Sequence, residues 1–275
     1  MASKVLKEKL LLNGIFGVYK QKGFTIDDYK TWIRLTHYHE SQLLSDRKSW
    51  SAPGVILDLN PRYMEPFTSG VMCVGLGYWS TRLTQLTKYW PHEWIVSAKL
   101  GTETQYYCPD STIVQKLAFD HINENNLLET LKQFMGTIKQ LNPPPIPYSE
   151  PLLVGKETNE RTINTVIMKP KTRIKQCFVI SLLDFNPPNI KLKVISDGYF
   201  SCRQFIHDLG LQLNSCAHLT DLCLNQMGII TVDDCLKKYE IHLKQMEEAI
   251  DKYSKILSKD LKKFTQLKPD NRRFI

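Results

Sequence analysis

The residues of this chain best suited to chemistry are its seven histidines and seven cysteines. A metal site needs such ligands on one face, and a nucleophile needs a base within reach. His37 and His39 sit two apart, about 200° around a helix, which is wrong for shared ligation. Cys216 and Cys223 share a helical face at a spacing of seven, but His218 lies off it and no fourth ligand follows, so buried thiols are the simpler reading. Cys108 with His121, and Cys202 with His207, lack the glycine-rich elbow that would seat a nucleophile. Gly70, Gly75 and Gly77 form neither a GxGxxG fingerprint nor a phosphate loop. No catalytic residue, metal or cofactor is expected from these sets.

Two binding patterns remain. Lys169, Lys171, Arg173 and Lys175 alternate along a short stretch and suit polyanion contact, although runs of charge are commonly solvated surface. The aromatic cluster Tyr78, Trp79, Tyr89, Trp90, Trp94, Tyr106 and Tyr107 has only Arg82 and Lys88 nearby as cations, which favours core or interface over base stacking.

The strongest periodicity is at the C-terminal side. Val232, Leu236, Tyr239, Leu243, Met246, Ile250, Tyr253 and Leu257 alternate spacings of four and three, with charged residues between them. A Thr cap at Thr231 followed by Asp233 and Asp234 predicts that one helix runs from there to Leu267, about 55 Å long. Such a stripe reads as a seam for a protein partner or for self-association.

The elements that would position these residues are mixed. Helix is expected over most of residues 1–48, with Thr25, Asp27 and Asp28 starting a second helix clearly. Short β-rich runs at 55–57, 71–76 and 94–98 flank a helix near 79–90, and helix is expected again over 111–141. Pro143, Pro144, Pro145 and Pro147 mark a joint, dividing a region 1–142 from a region 148–275, with one continuous domain as the alternative. Beyond it come strands at 177–183 and 190–196 around the turn Asn186-Pro187-Pro188-Asn189, then helices over 200–213 and 216–227. The expected fold class is α+β: N-terminal helices, small antiparallel sheets with packed helices, and the long C-terminal helix.

With 275 residues, 42% hydrophobic, the chain can bury a substantial core, and its 36 basic against 28 acidic groups give a net charge of +8. The odd cysteine count and absence of an uninterrupted apolar leader or span predict a soluble intracellular protein, nuclear or cytoplasmic. The functional expectation is a non-catalytic adaptor or scaffold subunit, with a nucleic-acid-binding protein or an enzyme of dispersed site residues as the alternative.

Overall fold

The computed structural model describes residues 12–44, 56–61, 64–146 and 172–266, with the backbone alone for residues 43, 44 and 257–266. Nine strands join one mixed sheet and two more form a small separate ribbon, in place of the small antiparallel sheets expected. Five helices are present among the described residues. The chain divides into two compact units, Met1–Trp94 with Cys223–Ile275, and Ile95–Leu222. The proline-rich stretch, described as far as residue 146, falls inside the second unit.

In the first unit, β1 (Gly14–Lys20) pairs antiparallel with β3 (Ser69–Leu76), Gly14 opposite Leu76 and Lys20 opposite Gly70. Strand β2 (Leu57–Asn60) also pairs antiparallel with β3, while β10 (Ala217–Met227) joins β3 in parallel through Cys223 and Leu224. All eight residues of β3 are buried, as its unbroken apolar run requires of a strand covered on both faces. Residues 14–20, expected to be helical, are a strand because alternate side chains such as Phe16 and Val18 can then enter the core.

Helix α1 (Ile26–Leu44) begins where the sequence places it. The Asp28 amide donates to Thr25 Oγ1 at 3.2 Å and the Thr25 amide donates to Asp28 Oδ2 at 2.7 Å, a reciprocal cap. Helix α2 (Tyr78–Thr87) returns along the sheet after β3.

The expected long C-terminal helix is not formed. Thr231 caps only a single 3₁₀ turn, Val232–Asp234, without a side-chain cap bond. The chain then lies beside β1, with the Tyr19 amide donating to Leu236 O and the Leu236 amide to Gly17 O, both at 2.9 Å. Backbone committed to that pairing cannot also be helical. The final helix, here α5, runs Leu243–Gln266. Its start is fixed from a distance: Glu40 accepts from the Leu243 amide at 2.7 Å and contacts His242 Nδ1 at 2.6 Å, so a carboxylate meets the exposed amides of the first turn.

The partner-surface expectation changes accordingly. Leu243, Met246, Ile250 and Tyr253 are buried in the first unit's own core with Phe16, Ile33, Leu59 and Met72. Helix α5 lies so close to β1 that a Cβ on Gly14 would stand 2.3 Å from Ile250 Cγ2. Val232 and Leu236 are half-buried outside any α-helix, Tyr239 is exposed, and the Leu257 side chain lies outside the described residues. The part of the stripe from Leu243 to Tyr253 is therefore core, and its spacing reflects a helix folding back on its own sheet.

In the second unit the strand order is β4 (His92–Leu100), β9 (Asn189–Ser196), β8 (Thr172–Asn186), β7 (Gly136–Leu141). The expected β8–β9 hairpin forms around Pro187 and Pro188, Asn186 pairing with Asn189. Strands β5 (Thr102–Thr104) and β6 (Ile113–Lys116) make the separate ribbon. The helix expected over 111–141 is confined to α3 (Glu124–Lys132), flanked by β6 and β7. Helix α4 (Cys202–Gln212) matches expectation, whereas 217–227 is strand β10. Its leucines and Met227 fit either period, and sheet neighbours decide.

Candidate active site

Between β2 and β3 runs a short loop, described from residue 64, that is organised by one buried lysine. Lys20, at the end of β1, has no exposed surface. Its Nζ donates to Thr68 O at 2.6 Å, Glu65 O at 3.1 Å and Pro66 O at 3.3 Å. An ammonium offers three donors, so the side chain is spent on fixing this loop. Burial pulls Lys20 down from 10.5 to about 8, while the charges of Glu65 and Asp28 oppose the shift.

The loop is braced further. Thr68 donates to Glu65 O through both its amide (3.0 Å) and its hydroxyl (2.7 Å), and the Gly23 amide donates to Pro66 O at 2.8 Å. The chain leaving Lys20 is held by buried Tyr29, whose hydroxyl accepts from the Gln21 amide at 2.9 Å and donates to Tyr19 O at 3.0 Å. Gly70 re-enters the sheet at φ 122°, and a Cβ there would fall 2.2 Å from Leu224 O. Only glycine fits that approach. The outcome is a half-buried carboxylate, Glu65, on a rigid turn.

The second unit holds its own cluster on α4. Arg203, 5% exposed, donates from Nη1 to Tyr106 O at 2.7 Å and Pro144 O at 3.0 Å. His207 stacks on Tyr107, ring centroids 3.9 Å apart, and its Nδ1 faces Glu103 Oε1 at 3.4 Å. Tyr107 adopts φ 58°, uncommon for a non-glycine residue. Asp208 accepts from Gln204 Nε2 at 2.8 Å, and burial raises its carboxyl above the usual range.

The pairs raised from the sequence are not assembled as sites. Cys202 and His207 lie about 140° apart around α4. His121 meets Leu213 O, and burial raises the Cys108 thiol, as it does Cys216. His218 Nδ1 meets Thr102 O at 2.7 Å, and His37 is buried whereas His39 is exposed. No group of three or more potential metal ligands occurs among the described residues, and none of their helices is long and apolar enough to cross a membrane. Of the basic set, Lys169 and Lys171 lie outside the described residues, Arg173 is exposed on β8, and Lys175 is 5% exposed with Nζ bonded to Tyr199 O. Lys175 is thus a structural tie, because strand alternation turns it inward.

Glu65 and Lys20 had no motif to announce them. A usable signal was Lys20 itself, an isolated cation ending the strand-forming run Gly14–Lys20.

Residues 63–199 match the profile of the TruB family pseudouridylate synthase N-terminal domain. Over 175 residues the chain is 31% identical to tRNA pseudouridine synthase B of Phocaeicola vulgatus, covering 63% of this chain and 72% of that protein. It is 25% identical over 279 residues to mouse pseudouridylate synthase TRUB1, covering 98% and 80%. The fold resembles the solved Nop10-Cbf5 complex of the archaeal box H/ACA particle, with TM-score 0.57 at 16% identity, over 89% of this chain and 60% of that one. A second similar structure, an H/ACA particle bound to a substrate RNA containing 2'-deoxyuridine, gives TM-score 0.56 and 17% identity over 85% and 53%. The chain thus spans little more than half of those solved chains. It belongs to the TruB family of pseudouridylate synthases. Membership in a family of RNA-modifying enzymes overturns the adaptor, scaffold and coiled-coil expectations.

Proposed function

We propose that this chain isomerises uridine in RNA to pseudouridine, with Glu65 as the reacting carboxylate. The conversion breaks the bond from ribose C1′ to uracil N1, turns the base and joins C1′ to C5, and the C5 hydrogen leaves as a proton. Charge develops at C1′ as N1 departs, and a carboxylate held beside it meets that need, as in glycoside cleavage. The loop grip by Lys20 is the observation that carries the assignment: it immobilises the peptide that bears Glu65.

Other described carboxylates of the matched segment sit in different settings. Asp197 accepts from the amides of Gln176, Tyr199 and Phe200, Glu103 faces His207, and Glu93 accepts from Asn225. Asp110, Asp120, Glu124 and Glu129 are exposed. A net charge of +8 favours association with a polyanion. Bacterial relatives are tRNA pseudouridine synthases, which makes tRNA the first substrate to try.

The test uses tRNA transcripts carrying tritium at uracil C5. The wild-type chain releases tritium to water, and Glu65→Gln, unchanged in fold, releases none. Release at the wild-type rate by that variant would remove Glu65 from the reaction.

A further inference from the structure

The outer face of α2 carries a combination that the reaction chemistry leaves unused. Tyr78, Arg82 and Gln85 are exposed along one side of the helix, and Lys88 and Tyr89 continue that side past its last turn. Tyr89 is 83% exposed and Tyr78 53%, unusual for such large rings. Each ring is paired with a cation: Arg82 lies 4.3 Å from the Tyr78 centroid and Lys88 5.0 Å from that of Tyr89. From Gly77 to Pro91 there is no Asp or Glu, so the helix and the corner after it contribute only positive charge.

The same helix is tied to the loop of Glu65. Asn60, the last residue of β2, donates from Nδ2 to Thr87 Oγ1 at 2.5 Å, one residue before Lys88. The exposed corner Lys88-Tyr89 therefore follows directly on the tie that anchors the start of that loop.

We infer that the α2 face is a track for single-stranded or looped RNA, with bases stacking on Tyr78 and Tyr89 and phosphates meeting Arg82 and Lys88. This deepens the RNA reading given above and rests on it. Two rings, each with a cation beside it, on a segment without acidic residues complement a nucleic acid on both counts, π faces for bases and positive charge for phosphates. A protein partner of opposite charge would use the cations and leave the tyrosines without a matching role.

Equilibrium binding of a tRNA transcript, measured over a series of salt concentrations, tests the assignment. Tyr89→Ala and Tyr78→Ala each weaken binding by about 5- to 100-fold. The double variant Arg82→Gln with Lys88→Gln lowers the slope of log affinity against log salt by about 1.4, the share of two single-strand phosphates. Tyr78→Phe with Tyr89→Phe retains wild-type affinity. Unchanged affinity and slope in the folded alanine and glutamine variants would overturn the inference and return the face to protein contact or solvent. If either set failed to fold, Lys88→Glu alone would give the same reading through its effect on binding and slope. The catalytic proposal fails separately: Glu65→Gln should bind RNA as the wild type does, and a wild-type chain that binds through α2 but forms no pseudouridine would reject the activity while leaving the track in place.

Discussion

The Nζ of Lys20 stands 2.6 Å from the carbonyl oxygen of Thr68, a residue 48 positions further along the chain. Lys20 lies opposite Gly70 in the β1–β3 register, so the strand pairing itself delivers the ammonium to the loop that precedes β3. A charged side chain is buried here to hold backbone, and the arrangement separates loop geometry from overall stability.

Replacing Lys20 by Met tests that separation. Glu65 O keeps its two donors from Thr68, and Pro66 O keeps the Gly23 amide, so Thr68 O alone loses its lysine bond without another donor named above. One unsatisfied carbonyl costs about 1–3 kcal/mol, offset in part by no longer burying a charge. Urea unfolding should therefore shift by less than about 2 kcal/mol. Tritium release should fall on the order of 100-fold, because a reacting group displaced by an ångström loses that much. A variant as active as wild type would show that the grip has no catalytic consequence.

Lys20 also sets a pH signature. Its folded value near 8 lies below the usual 10.5, so between those values the unfolded chain holds a proton that the folded chain has released. Stability assignable to this group consequently rises from pH 8 to 10.5, by on the order of 3 kcal/mol. The amine formed in the folded protein as the pH passes through about 8 has one donor fewer, and catalysis should decline around that value. Unfolding free energies of wild type and Lys20→Met, compared from pH 7 to 10, should diverge in that sense; parallel curves would contradict the shift.

Gly70→Ala should destabilise the first unit by more than about 2 kcal/mol. The added Cβ meets the Leu224 backbone while φ stays near 122°, and relief requires moving β3 away from β10. Thermal unfolding followed by circular dichroism checks this, and a midpoint within a degree of wild type would show that the strands can part cheaply.

Substituting Asp for Leu243, Met246 and Ile250 together should unfold the first unit. Each side chain contributes about 1.5–3 kcal/mol by burial, and three carboxylates in that core add desolvation cost. Proteolysis of the variant should expose residues 12–94 early. A folded variant that merely loses an oligomer in size-exclusion chromatography would restore the partner-surface interpretation.

Local rules were readable where local chemistry decides. The Thr25–Asp28 cap and the proline turn between β8 and β9 are made by residues within a few positions of each other, and both appear as expected. The stripe from Val232 to Leu257 misled because a helix docking on its own sheet and one docking on a partner show the same spacing. What divides it at Leu236 is a bond to Gly17, which no window of sequence contains. Glu65 was hidden for the same reason: its significance rests on Lys20, 45 residues earlier. Arg82 and Lys88 were discounted as too few for stacking, yet the helix sets each beside a tyrosine ring, a geometry that counting cations cannot give.

The hydrogen bonds joining Leu236 to Gly17 and Tyr19, and the burial of Met246 and Tyr253 in the same core, also bear on the order in which the chain can fold. During synthesis the strand Gly14–Lys20 leaves the ribosome more than two hundred residues ahead of the segments that cover it. Throughout that interval its apolar face must wait without its native shelter, and Lys20 can grip the Glu65 loop well before the sheet is roofed. Nascent chains stalled short of Leu243 should therefore engage chaperones, and release from them should coincide with emergence of the last helix.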